Sequence, residues 1–150
     1  MMKIAPLFLV LVLTACGGND KPPVEKPDPN APKMIGCQVV TEFPHDTSSY
    51  TQGLIVYKGG MYEGTGNYNF SKLKKVDIAT GKTLQEIKLD NKYFGEGITI
   101  LQDTIYQLTW KEKKAFAYTL KDFRKVKEFD VDMEGWGLTT DGKNLIDRRA

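Results

Sequence analysis

Three short stretches decide the reading of this chain: Gln52-Gly53-Leu54, Glu96-Gly97-Ile98 and Trp136-Gly137-Leu138. Each is a glycine followed by a branched aliphatic residue, and each is preceded by a different chemically loaded side chain. The glycines stand at 53, 97 and 137, intervals of 44 and 40 residues. A period in the low forties in β-rich sequence is the mark of a β-propeller, each repeat being one four-stranded blade. Equivalent positions in successive blades surround one axis. The repeat therefore predicts that Gln52, Glu96 and Trp136 face a common central cavity.

The intervening sequence fits an all-β fold. Candidate strands are Gln38–Phe43, Leu54–Tyr57, Gly60–Gly64, Leu73–Ile78, Leu84–Leu89, Ile98–Leu101, Thr104–Leu108, Ala115–Leu120, Val126–Val131 and Leu138–Thr140. They alternate, as in Phe116-x-Tyr118-x-Leu120, and Lys58-Gly59-Gly60, Thr80-Gly81, Gln102-Asp103 and Asp141-Gly142 punctuate them as turns. No window sustains an amphipathic helical period for more than two turns. One four-stranded unit fits between the first two marker glycines and another between the second and third. A third has barely begun, with Leu145-Ile146 as its second strand, when the sequence reaches Asp147-Arg148-Arg149-Ala150. Two blades and the start of a third cannot close a ring, which needs at least four. The expectation is the first part of a longer propeller, with residues 17–150 alone poorly active and prone to aggregate through unpaired edges.

Upstream lies a different kind of sequence. Lys3 precedes an apolar run from Ile4 to Leu13, too short for the ~20 residues that span a bilayer. It ends in Leu13-Thr14-Ala15-Cys16, which resembles a bacterial lipobox, so residues 1–15 read as a lipoprotein signal peptide and Cys16 as the lipidated residue. Residues 16–36 follow as a tether, since five of the seven prolines fall between Gly17 and Lys33 among charged and small polar residues. Residues 37–150 are the catalytic domain on this division. The implied location is the bacterial cell envelope, held to the membrane by the lipid.

Composition removes several function classes. A formal charge of +2 implies neither nucleic acid nor an anionic surface as partner. With Cys16 lipidated, Cys37 has no disulfide partner and reads as a buried small hydrophobe. One histidine, His45, and one free cysteine do not assemble a nitrogen–sulfur zinc site. The run Asp130-x-Asp132-x-Glu134-Gly135 imitates a calcium loop, but its flanks read as strands rather than helices. Gly59-Gly60 and Gly64-Thr65-Gly66 lack the spacing and context of a phosphate-binding loop and read as turn glycines.

The chemistry gathers at the markers. Glu96 lies between Gly95 and Gly97, where ligand and backbone can approach closely. Phe94 is near in sequence, and the repeat brings Trp110 and Trp136 near in space. Aromatic surroundings desolvate a carboxylate and raise its pKa, which suits general acid/base work near neutrality. A turn glutamate bonded to local backbone is the competing reading of Glu96, and core packing is that of the two tryptophans. A membrane-tethered propeller that only binds peptide or carbohydrate is the competing reading of the whole.

The same residues resemble the plant and bacterial glutaminyl-peptide cyclotransferases. The matching segments are Phe43-Pro44-His45-Asp46-Thr47, Tyr50-Thr51-Gln52-Gly53-Leu54, Tyr62-Glu63-Gly64-Thr65-Gly66, Val76-Asp77-Ile78-Ala79-Thr80-Gly81, Phe94-Gly95-Glu96-Gly97-Ile98-Thr99, Gln107-Leu108-Thr109-Trp110 and Glu134-Gly135-Trp136-Gly137-Leu138. The resemblance implies a five-bladed propeller that converts the N-terminal glutamine of peptides to pyroglutamate and releases ammonia, without metal or other cofactor. It implies Glu96 as the catalytic residue, and Tyr50, Gln52, Phe94, Trp110 and Trp136 as substrate-binding residues. His45-Asp46 matches a segment read as structural. The family's later blades, with another tryptophan, an asparagine and a lysine of the site, have no counterpart before Ala150, so the resemblance implies an impaired product of a truncated gene.

Overall fold

The computed structural model describes residues 28, 31, 32 and 34–147. The expected signal peptide and Cys16 lie outside the described residues. The chain divides into two compact units, Met1–Gln38 and Val39–Ala150. In the first, Cys37 is exposed, against the expectation of burial. It stands in a stretch that belongs to no strand, so no second layer covers it.

The second unit is all-β, with ten strands and no helix among the described residues. Strands β1 (Thr51–Tyr57), β2 (Gly60–Thr65), β3 (Lys72–Val76) and β4 (Thr83–Lys88) form one antiparallel sheet in chain order. Strands β5 (Gly95–Leu101), β6 (Thr104–Thr109), β7 (Lys114–Thr119) and β8 (Lys125–Asp130) form a second. Strands β9 (Leu138–Thr140) and β10 (Leu145–Asp147) form a hairpin. Nine of the expected strands and Leu145-Ile146 fall on these elements, shifted by a few residues at their ends. The exception is Gln38–Phe43, which is not a strand: Val39, Val40 and Phe43 are exposed. Its β-branched and aromatic residues suit a strand, but among the described residues no neighbouring edge supplies the ladder that would make it one.

Local chemistry explains the meanders. Lys58-Gly59 closes the β1–β2 hairpin and Gln102-Asp103 closes β5–β6. All four residues have positive φ, 48°, 76°, 50° and 57° in order, as the two-residue hairpins that match strand twist require. The two turns are also tied together, because Asp103 Oδ1 accepts from the Tyr57 hydroxyl at 3.0 Å and from Lys58 Nζ at 2.7 Å.

The two sheets pack against each other, with β1 alongside β5 and β5 alongside β9. Leu73 and Ile105 are fully buried in the shared core with Tyr62, Ile98, Ile100, Phe116 and Tyr118. Burying each aliphatic side chain contributes about 1.5–3 kcal/mol. The marker glycines have a physical reason at this junction. A Cβ on Gly53 would lie 2.5 Å from the Ile98 nitrogen, and one on Gly97 would lie 2.3 Å from the Trp136 carbonyl oxygen. Both obstacles are backbone, so neighbouring strands approach this closely only where the side chain is a single hydrogen.

Candidate active site

The equivalent residues of β1 and β5 share an irregularity. In the first sheet Thr51 pairs with Thr65 and Gly53 with Gly64, so Gln52 is one residue too many. In the second, Gly95 pairs with Thr109 and Ile98 with Gln107, so Glu96 and Gly97 together oppose Leu108 alone. Each is a one-residue bulge at the marker position, a device that interrupts a ladder and re-aims a side chain. The backbone freed in β5 turns to the next segment: Gly97 N–H donates to the Trp136 carbonyl at 2.8 Å.

Glu96 is buried, 6% exposed, yet no positive charge pairs with it among the described residues. Burial, and secondarily the negative charge of Glu112, pushes its carboxyl up to about 7 from the usual 4.5. A group that titrates there holds and releases a proton at neutral pH.

A run of edge-to-face aromatic contacts leads across the same region. The Phe94 ring centroid lies 6.2 Å from that of Tyr50, 5.4 Å from Tyr68 and 5.5 Å from Trp110. Trp110 in turn lies 6.5 Å from Trp136. A Cβ on Gly66 would strike the Phe94 ring at 2.3 Å and approach Gln52 Cγ at 3.1 Å, so Gln52 and Phe94 meet over that glycine. Thus Tyr50, Phe94, Trp110 and Trp136 share one aromatic run, Gln52 abuts it, and Glu96 sits at the bulge two residues beyond Phe94. Tyr50 and Trp136 are about half exposed, leaving the run open on one side.

Three further residues belong here that sequence reasoning did not single out. Tyr68 donates its hydroxyl to Glu112 Oε1 at 2.8 Å, and Phe94 N–H donates to Glu112 Oε2 at 3.3 Å. The Glu112 hydrogen bond and charge raise the Tyr68 phenol above its ordinary value, so it stays a donor. Trp110 Nε1–H donates to Glu134 Oε2 at 3.1 Å. That indole is engaged, whereas the Trp136 indole N–H has no hydrogen-bond partner among the described residues. Glu112 lies two residues from Trp110, and Glu134 lies two from Trp136 within a segment that the family resemblance already matched. A cavity of about 450 Å³ between the second sheet and the β9–β10 hairpin, lined by Leu108, Phe129, Leu138 and Leu145 among others, contains none of the six expected site residues. The chemistry of the aromatic run, rather than cavity size, marks the site.

His45 and Asp46 are in a separate network behind the first sheet. Glu63, fully buried, accepts from Thr51 Oγ1 at 2.6 Å, and His45 Nε2 lies 2.9 Å from the same carboxylate oxygen. Buried Lys74 reaches Glu63 Oε2 at 3.3 Å, an ion-pair contact without hydrogen-bond alignment. Lys74 Nζ also donates to Ser49 Oγ at 2.7 Å and Asp46 Oδ2 at 3.2 Å. The Ser48 hydroxyl and N–H, and then Lys74, hold the Asp46 carboxyl well below the usual range. The network ties residues 45–51 to the sheet. No group of three His, Cys, Asp or Glu able to hold a metal ion occurs among the described residues.

Known proteins resemble this chain in sequence and fold. The family model described as glutamine cyclotransferase matches residues 7–148. A glutaminyl-peptide cyclotransferase of Arabidopsis thaliana is 48% identical over 112 residues, which cover 73% of this chain and 35% of that protein. The crystal structure of Myxococcus xanthus glutaminyl cyclase superposes with a TM-score of 0.68 at 27% identity, over 75% of this chain and 47% of that one. Apo AztD from Citrobacter koseri is similar at a TM-score of 0.50 and 16% identity, covering 67% and 27% of the two chains, a likeness of fold alone. The chain thus spans about a third to a half of the length of these two cyclase relatives. On the extent of the family match and the level of identity, the chain belongs to the glutamine cyclotransferase family.

Proposed function

We propose that this site is built for glutaminyl-peptide cyclisation, with peptides or proteins bearing N-terminal glutamine as substrates. The observation that carries the reading is Glu96, a buried carboxyl brought to about 7 at a strand bulge beside an aromatic run. A site that only binds peptide has no need for a carboxyl poised between its two protonation states.

The residues supply the steps in order. The substrate's α-amine, whose free pKa is near ~7.7–8, attacks in its neutral form. Ionised Glu96 accepts one of the two protons of that neutral amine as the nitrogen attacks the γ-amide carbon, forming the ring C–N bond. The tetrahedral oxyanion is met by the Gln52 side-chain amide and the Trp136 indole N–H. Protonated Glu96 then returns the proton to the departing amide nitrogen. The old C–N bond breaks, ammonia leaves, and pyroglutamate remains. Phe94, Trp110 and Tyr50 enclose the folded glutamine side chain, and that enclosure makes an intramolecular attack fast.

The fold reading that accompanies this is a propeller, five-bladed as in the family, with the two described sheets as successive blades and β9–β10 opening a third. Its support is the stacking of β1, β5 and β9 at the marker glycines. The domain division is residues 1–15 as leader, 16–36 as lipidated tether and 37–150 as propeller sequence, placing the protein in the bacterial cell envelope. Its support is the sequence Leu13-Thr14-Ala15-Cys16. Under this reading Cys16→Ser moves the protein from the membrane fraction to the soluble fraction or leaves the precursor uncleaved. Mass spectrometry that finds a mature N-terminus elsewhere overturns it.

The test of the chemistry is ammonia release from a glutamine-initiated peptide. It is measured on the full chain and on a chimera extended by the C-terminal portion of the Myxococcus xanthus enzyme. The chimera is expected to turn over and the chain alone to be slow. In whichever is active, Glu96→Gln lowers kcat by about 10²–10⁴-fold, because an amide does not shuttle the proton. Near-normal turnover with Gln at position 96 moves the proton-transfer role to another group.

A further inference from the structure

Glu112 binds three parts of the site at once. It sits half-buried in the loop between β6 and β7. One of its oxygens takes the hydroxyl of Tyr68, from the loop between β2 and β3. The other takes the backbone N–H of Phe94, at the entry to β5. The Phe94 carbonyl is held by the same loop, since Trp110 N–H donates to it at 3.0 Å. Both backbone groups of Phe94 are therefore fixed by residues 110–112. This matters because regular pairing of β5 with β6 fails immediately afterwards, at the bulge that carries Glu96. Without the loop, the strand entering the bulge would be held by the Gly95 N–H bond to Ser71 Oγ and by the single pairing of Gly95 with Thr109.

We propose that Glu112 is a positioning residue for Glu96, clamping the Phe94 backbone where it enters the bulge and the Tyr68 ring that packs on Phe94, and stationing an unneutralised negative charge near the carboxyl. The proposal rests on the cyclotransferase reading of the site and adds to it a residue that never touches the substrate. Charges around the pair come from each neighbouring segment. Tyr68 is a protonated phenol from the first sheet's loop. Lys111 is drawn over the Trp110 ring, 4.1 Å from its centroid. Glu134, from the segment before β9, is occupied by the Trp110 indole. Gln52, from β1, carries no charge. Among the described residues no lysine or arginine forms an ion pair with Glu112, so its charge acts on Glu96 without a local counterion. Burial supplies the larger part of the upward shift at Glu96 and Glu112 the remainder.

The consequence is a division between charge and clamp that two variants separate. Glu112→Gln keeps an acceptor oxygen and most of the shape while removing the charge. Tyr68→Phe removes one clamp bond and keeps the charge. The measurement is the titration of the Glu96 carboxyl in the full chain, by carbon-detected NMR of glutamate-labelled protein, the resonance being assigned by its loss in Glu96→Gln. The expected result is a midpoint near 7 that falls by roughly tenths of a pH unit in Glu112→Gln and stays in place in Tyr68→Phe. A midpoint unmoved by Glu112→Gln, or moved equally by Tyr68→Phe, overturns the proposal. Thermal melting of each variant checks that the sheets remain. A midpoint that falls as expected, while the chimera with the C-terminal portion of the Myxococcus xanthus enzyme cyclises no glutamine peptide, supports the role of Glu112 and overturns the reaction assigned to the site.

Discussion

The two four-stranded sheets occupy the same pattern and fill its centre with opposite chemistry. Counting from Thr65 and Thr109, which pair with the residue before each bulge, Glu63 of the first sheet corresponds to Gln107 of the second. Their partners on the next strand are Lys74 and Phe116. One cross-strand position thus holds a buried ion pair and the other a neutral amide against an aromatic ring. The neighbour explains the difference. Segment 45–49 lies over the first sheet's ion pair with His45, Asp46 and Ser49, and the buried charges are the means of fastening it. The second sheet's centre faces the first sheet's apolar side, where a charge would have no partner. The marker positions follow the same rule in reverse, neutral Gln52 in the first sheet and ionisable Glu96 in the second. What repeats is backbone geometry, and what fills it is set by the surface each sheet meets.

The most severe test on the stability side is at the buried pair. Lys74→Ala strands the fully buried Glu63 carboxylate and is expected to cost about 3–5 kcal/mol, read from the urea midpoint. Gln107→Leu at the matching position removes an amide whose oxygen has no hydrogen-bond partner among the described residues. It is expected to cost less than about 1 kcal/mol. Equal losses at the two sites would break the comparison. Replacing Glu63 and Lys74 together by Met should recover only part of the single-mutant loss: an apolar pair avoids the desolvation penalty, but it also removes the bonds to His45, Asp46, Ser49 and Thr51.

Titration sharpens the marker comparison. The folded protein holds the Glu96 proton up to about 7, while the unfolded chain releases it near 4.5. Between those values the native state binds more protons, so stability falls as pH rises through the window and the burden is complete above it. Its size is at most ~3 kcal/mol before solvent screening is discounted. Unfolding free energy measured from pH 4 to pH 8 should therefore decline with pH in the wild type and decline less in Glu96→Gln. Parallel curves would mean that Glu96 titrates normally.

The last comparison concerns the glycines. Gly53→Ala and Gly97→Ala each drive a Cβ into backbone that has little freedom to retreat. A cost of about 1–3 kcal/mol is expected from each, seen as a lowered melting temperature. An unchanged melting temperature in either variant would show that β1, β5 and β9 approach less tightly than their geometry indicates.

The sequence by itself determined the local elements, because their causes are local. Alternation and turn residues place nine strands and the β9–β10 hairpin, and the spacing of Gly53, Gly97 and Gly137 announces that equivalent strands meet. It also pointed to the six expected site residues, Gln52, Glu96 and Trp136 as repeat markers, Phe94 and Trp110 as aromatics near them and Tyr50 through the family resemblance alone. Tertiary structure alone decided the rest. Gln38–Phe43 has a strand's composition but no ladder partner among the described residues, and pairing depends on another segment's edge. Cys37 reads as a core residue by type and is exposed because no layer covers it. The bulges are invisible in a single strand, being a count of two residues against one on its neighbour. Glu112 and Glu134 look like ordinary loop acids until folding brings them to Phe94, Tyr68 and Trp110. The protonation of Glu96 belongs to the same class, because desolvation and a like charge act through space, and neither is a property of Gly95-Glu96-Gly97 read alone.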